Sequence, residues 1–263
     1  MRRVCLKCCK RRFVAWLFAL AFVLGAQAQA QAPSLIERES MRDIGWAIKQ
    51  GKSAQAVASL NRGMANHWAS HSLIGGAMFE DGACLEPNWE RAERLYLRAY
   101  QAGQRAGVLR LIAGLAREGR DVGSAPWWTQ QQKLSMRADC RTPAEVHGDP
   151  DRYVTALNAW QAQRLAACAS TVGVMARLLS DMHCTRDTRL LEVAGPVDVV
   201  FVPAQSKFEF DLQTVTAEGN LSIGKERLMR DLVEAEQLAL KRYTKPADID
   251  PAWRVTARFV FSI

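Results

Sequence analysis

Three groupings of histidine and cysteine in this 263-residue chain have spacings that could support chemistry. His67 and His71 stand four residues apart, which puts both imidazoles on one helix face, where they could share a metal ion. A zinc protease of that design needs a glutamate beside the first histidine. Trp68 stands there, and Ser70 fits a cap between two helices, so the pair reads as surface or packing histidines. Met182-His183-Cys184 offers adjacent metal donors, but no second pair at Cys-x2-Cys spacing accompanies it. Cys140 lies near His147, a pairing that could activate a thiol nucleophile. Gly51-Lys52-Ser53 has the residue types that end a phosphate-binding loop. That loop needs glycine at position 46, where Trp46 stands, and no strand precedes it. There is no Gly-x-Ser-x-Gly elbow, and Asp149 and Asp151 are accounted for as charges at a helix start. No catalytic, cofactor-binding or metal-binding residue is predicted, and an enzyme activity has no support in the sequence.

Charge and cysteine usage point to export. The formal net charge is +8, and Arg2, Arg3, Lys7, Lys10, Arg11 and Arg12 supply six of the positives, with no acid before Glu37. Without them +2 remains, so no nucleic-acid partner is expected. These residues precede the apolar run Phe13–Gly25 and the small-residue stretch Ala26-Gln27-Ala28-Gln29-Ala30. A basic region, a short apolar region and an Ala-x-Ala site predict a secretory signal over residues 1–28, cut after Ala28 or Ala30. Arg11-Arg12 is followed at once by Phe13, which favours the general secretory route over the twin-arginine one. The expected address is periplasmic or secreted. A membrane is involved only if the segment stays uncleaved and acts as an anchor.

Three of the seven cysteines, Cys5, Cys8 and Cys9, leave with the signal. Cys84, Cys140, Cys168 and Cys184 remain, an even number suited to disulfides in an oxidising compartment. Four cysteines allow three connectivities. The closest pair in sequence, Cys168–Cys184, is favoured, with Cys84–Cys140 as the remainder.

The elements that position these residues are helical for most of the chain. Ser34–Gln50 and Ser53–His67 carry Ile44, Ile48, Val57, Leu60 and Met64 at amphipathic spacing. Next come Gly76-x2-Phe79-x2-Gly82 and Ala92-x2-Leu95-Tyr96-x2-Ala99-x3-Gly103. Small residues and aromatics at three- and four-residue spacing suit two antiparallel helices whose backbones approach closely. A shift of 36 residues lays Ala56 on Ala92, Leu60 on Tyr96, Gly63 on Ala99 and His67 on Gly103, a degenerate copy. A third, shortened copy starts near Arg105. The pattern resembles the Sel1-like repeat, a tetratricopeptide-related helical hairpin, over about residues 40–132. The resemblance implies a short α-solenoid over 33–137 that binds a protein or peptide partner without cofactors. Asn88 then opens the second helix of the best repeat, and Cys84 replaces a loop glycine. Trp127-Trp128, an adjacent aromatic pair, is a candidate partner contact, the competing role being to cap the last helix pair.

Residues 138–190 read as a helical capping region: Asp149-Pro150 starts a helix over Asp151–Ala169, and Thr171–His183 forms another. Residues 191–263 read as a small α+β domain, with strands Val197–Phe201 and Lys207–Val215, helix Glu226–Tyr243 and strand Arg254–Ile263. Leu228, Leu232, Ala235 and Leu238 are expected on the helix's buried side. This layout, with Leu240, Tyr243 and Pro246 before a final strand, is similar to the C-terminal domain of TonB-type energy transducers. That resemblance implies an envelope module tethered by an uncleaved N-terminal segment, although the long Pro-rich spacer of those transducers is absent. A periplasmic hydrolase is a third class.

Overall fold

The computed structural model describes residues 34–117, 119–134, 136–182, 193–217, 221–243, 245 and 249–261. The signal expected over residues 1–28, together with His183 and Cys184, lies outside the described residues. The fold is mostly helical, with a small three-stranded antiparallel sheet towards the C-terminus.

Six helices come first: α1 (Leu35–Lys49), α2 (Ser53–Ala65), α3 (Ala69–Asp81), α4 (Trp89–Gln101), α5 (Arg105–Leu115) and α6 (Ser124–Gln131). Each packs against the next. Side-chain oxygens cap two of these helix starts, those of α1 and α4. Ser34 Oγ accepts from the Glu37 N–H, and Asn88 Oδ1 accepts from the Arg91 N–H. Such caps satisfy amide groups that a helix start leaves unpaired.

The α3–α4 pair shows why its small residues stand where they do. A Cβ on Gly76 would come within 2.5 Å of the Tyr96 ring, so only glycine lets that ring lie flat on α3. Ala92, Tyr96 and Ala99 are fully buried, while Phe79 and Leu95 are half-buried. Gly82 ends α3 in the left-handed region at φ +71°, where a side chain is costly. Cys84 adopts φ +61° in the same loop, the conformation a glycine takes without strain. Gly103 closes α4 with φ +86°.

The region expected to be a helical cap, 138–190, departs from expectation in three places. The helix begun at Asp149 is short, α7 (Pro150–Asn158), and the chain breaks before α8 (Ala162–Met182). The expected break near Ser170 lies inside α8. No glycine or proline marks the true break; Trp160 sits at it and packs against both the Tyr153–Leu157 cluster and the main core, which most of α8 enters. Secondly, α8 is the central helix rather than a cap: every residue from Thr171 to Ser180 is buried, against α5, α6 and the last helix. It is long and apolar enough to cross a membrane, and burial within the protein accounts for that composition.

The third departure is the disulfide. Cys140 pairs with Cys168, with Cα atoms 5.5 Å apart, and this excludes both Cys168–Cys184 and Cys84–Cys140. Cys140 ends a 3-10 turn (Ala138–Cys140) that lies against α8, with Arg164 of α8 donating to the Asp139 carbonyl. Tertiary proximity therefore overrides nearness in sequence. Cys84 is a free thiol.

In the sheet, β1 (Val193–Val202) is central. It runs antiparallel to β2 (Lys207–Asp211) and β4 (Val255–Phe261), so that Val199 faces both Phe210 and Ala257. A short β3 (Thr216–Ala217) pairs with the first residues of β1. Helix α9 (Leu221–Lys241) links β3 to β4 and buries Leu228, Leu232, Ala235 and Ala239. Leu238, expected inside, is 49% exposed, and its neighbour Ala239 takes the buried position. One continuous core runs from Ala92 and Tyr96 through α5 and α8 to Val197, Phe201, Leu232 and Trp253. Tyr243 clamps the halves together: its hydroxyl donates to the Ala113 carbonyl at 2.6 Å, and its ring fills the space that Gly173 leaves open.

Candidate functional site

A groove of about 460 Å³ runs between α2 and α4. Its floor is apolar, built from Val57, Leu60 and Met64 of α2, Phe79 of α3, Leu85 of the loop and Leu95 of α4. Arg91, Arg94 and Arg98 form its rim. They recur at i, i+3 and i+7, the spacing that aligns side chains along one helix face. All three are exposed, and two are held in place. The Arg91 guanidinium sits 5.4 Å from the centre of the Phe79 ring. Arg98 Nη2 lies 2.7 Å from His67 Nδ1 and reaches the Met64 carbonyl at 3.4 Å. The arrangement offers buried apolar contact with fixed cations above it. Such a combination of apolar floor and charged edge is suited to binding.

Phe79 faces the groove, and the next residue, Glu80, turns into the core. The Glu80 side chain is only 2% exposed. It accepts from the Tyr96 hydroxyl at 2.7 Å and from Arg120 at 3.4 Å. Arg117 and Arg242 lie 3.8 Å away and Arg177 4.0 Å away. Arg242 also binds Asp81 at 2.7 Å, and Asp181 joins Arg177 at 2.8 Å to Arg110 at 2.5 Å. Burial, and then the Glu80 charge, push the Tyr96 hydroxyl well above its ordinary pKa, so it stays a donor. The network joins α3, α4 and α8 to the segments after α5 and α9, and so fixes α3 and α4, which supply Phe79 and the arginine side of the groove.

His71 has a second polar arrangement. Ser70 Oγ donates to the Glu37 carboxylate and lies 3.2 Å from His71 Nδ1, while Ser40 Oγ lies 2.9 Å from Nε2. A carboxylate only accepts, so the Ser70 proton points to Glu37 and Ser70 accepts from Nδ1–H. Nε2 is then bare and accepts from Ser40. This order matches a serine hydrolase with one hydroxyl inserted. However, Ser40 lies inside α1, where backbone N–H groups are spent on the helix and none is free for an oxyanion. The relay therefore pins α1 to α3, and Gly63 makes room for the ring, since any side chain there would overlap it.

The relay sets a pH dependence. Burial lowers the His71 pKa, with the Glu37 charge opposing it. The unfolded chain then takes up this proton at higher pH than the folded one. The stability His71 contributes is full above about pH 6.5 and is lost as pH falls towards its lowered folded value. The urea midpoint of the parent protein is expected to drop between pH 7.5 and 5.5 by more than that of His71→Gln. Equal drops would remove His71 from the account.

The residues singled out in the sequence fall in several places. His67 and His71 do not converge: one meets Arg98, the other is saturated by two serines. Cys140 is spent in the disulfide, and His147 Nε2 is 3.0 Å from the Thr142 carbonyl, so no thiol–imidazole pair forms. Among the described residues no cluster of three His, Cys, Asp or Glu is placed to hold a metal. Trp127 and Trp128 meet edge to face at 4.9 Å and are half-buried, Trp127 on the Tyr153–Leu157 cluster and Trp128 against Tyr100. They lie between these clusters with part of each ring still exposed. The rim arginines were missed by sequence reasoning, although their i, i+3, i+7 spacing was visible. Comparison with protein-family models, with curated proteins and with solved structures returns no match.

Proposed function

We propose that this chain is an exported adaptor of a bacterial cell envelope, which binds a protein partner through Sel1-like helical pairs stacked as a short solenoid. The groove between α2 and α4 carries this reading: an apolar floor open to solvent between two helices, with cations fixed at its edge. The close Gly76–Tyr96 approach and the left-handed Gly82 support the repeat assignment of α3 and α4. Apolar clefts with a few placed polar groups are the usual form of a binding site. The basic and apolar N-terminal segment supports export, with a mature start near residue 29 or 31.

The test places a photo-crosslinking amino acid at Leu95 in the groove, or at Glu234 on the exposed face of α9, in full-length protein expressed with its leader. A partner adduct from Leu95 alone, on a chain processed near residue 29 or 31 and released with the periplasm, is expected. Adducts of equal yield from both sites, or an unprocessed chain in the cytoplasm, would refute the adaptor or its export respectively.

A further inference from the structure

We infer that the occupant of the α2–α4 groove is an extended peptide segment that alternates acidic and apolar side chains. The inference rests on the groove reading proposed above and adds the chemistry of the partner. The three rim charges are all positive, and no acid lines the main groove; Glu86 lies only at its outer end, beside Asn88. With a net charge of about +2 outside the N-terminal segment, this is a local feature and not a general basic character. Successive rim arginines are separated along α4 by about 4.5 and 6 Å at 1.5 Å per residue. Alternate side chains of an extended peptide repeat about every 6.6 Å, so carboxylates at i and i+2 can each meet a guanidinium. The intervening apolar side chains then turn down onto Leu60, Leu95 and Phe79. Arg91 and Arg98 are already held, by Phe79 and by His67 with Met64, so little ordering remains to be done on binding.

The experiment uses the full-length protein and three fluorescein-labelled eight-residue peptides, alternating Glu/Leu, Lys/Leu and Glu/Ser, with anisotropy read at 50 and 300 mM NaCl. The Glu/Leu peptide is expected to bind at least about tenfold tighter than the others, with affinity falling several-fold at the higher salt. Arg94→Glu, at an exposed position, is expected to lose at least about tenfold for Glu/Leu and to gain binding of Lys/Leu. Arg91→Glu repeats the test should the first variant lose its native circular dichroism. Equal binding of Glu/Leu and Lys/Leu would overturn the acidic partner and leave the groove standing. Glu/Leu binding that neither variant weakens would place the peptide elsewhere and overturn the inference. If none of the peptides binds, both the inference and the groove reading fall.

Discussion

Glu80→Gln is expected to cost about 3 kcal/mol of unfolding free energy, the low end of what breaking a buried ion pair takes. The substitution keeps the side chain's size and leaves an amide oxygen for the Tyr96 hydroxyl, so little packing is lost. What disappears is the one negative charge facing four guanidinium groups. Arg242 keeps Asp81 and Arg177 keeps Asp181, which holds the loss at the low end. Arg120 keeps the Gly114 carbonyl and the face of Trp89. The measurement is urea unfolding followed by circular dichroism, with Glu226→Gln as control. Glu226 is 77% exposed, so its ion pair with Arg230 is worth little. A double-mutant cycle with Arg242→Met should return a coupling above about 1 kcal/mol, because the two side chains share one network. A Glu80→Gln protein within 1 kcal/mol of the parent would mean that water already carries most of this charge.

The same variant separates stability from binding. Glu80 and Phe79 are neighbours on α3, one turned to the core and the other to the groove. Loosening the core side is expected to weaken peptide binding through the position of α3, with no change in the preference for acidic over basic peptides. Rim substitutions are expected to do the opposite, altering charge preference without moving the urea midpoint.

How far the sequence discloses this depends on whether the deciding contacts are local. Asn88 and Asp149 mark helix starts because the cap lies within three residues of what it caps. Gly76, Tyr96 and Ala99 disclose a close helix pair because the whole hairpin, Ala69–Gln101, is local in sequence. The strands and α9 are legible from their alternation and periodicity, although β2 ends at Asp211, short of the expected Val215, and α9 begins at Leu221, five residues before the expected start, and turns Leu238 outward. Glu80 gives no such signal: its partners come from positions 117, 120, 177 and 242, and each alone reads as a solvated charge. The break at Trp160 is hidden for the same reason, since Trp160 packs there against the main core, whose other members come from distant positions. The arginine rim was visible in spacing, but only the position of α2 opposite it turns a charged helix face into the wall of a groove.

Removing the disulfide with Cys140→Ser and Cys168→Ser is expected to lower stability by about 3–4 kcal/mol. The bridge closes a loop between residues 28 apart, and the chain-entropy cost of leaving such a loop open in the unfolded state is of that size. The loop carries the 3-10 turn at Ala144–Val146, α7 and the start of α8, and its own apolar cluster, Val146, Tyr153 and Leu157, is small. Without the bridge, this segment is the part expected to open first, showing faster hydrogen exchange in α7 than in α5. Reductant on the parent protein should reproduce the loss, and adding it to the double variant should change nothing further. The result also bears on export, because a disulfide of this kind persists only in an oxidising compartment. Peptide mapping without reductant should recover Cys140 joined to Cys168, with Cys84 open to alkylation. Recovery of both cysteines as free thiols from protein purified from its own compartment would argue against export, and the melting of that reduced protein would show whether the fold stands without the bridge.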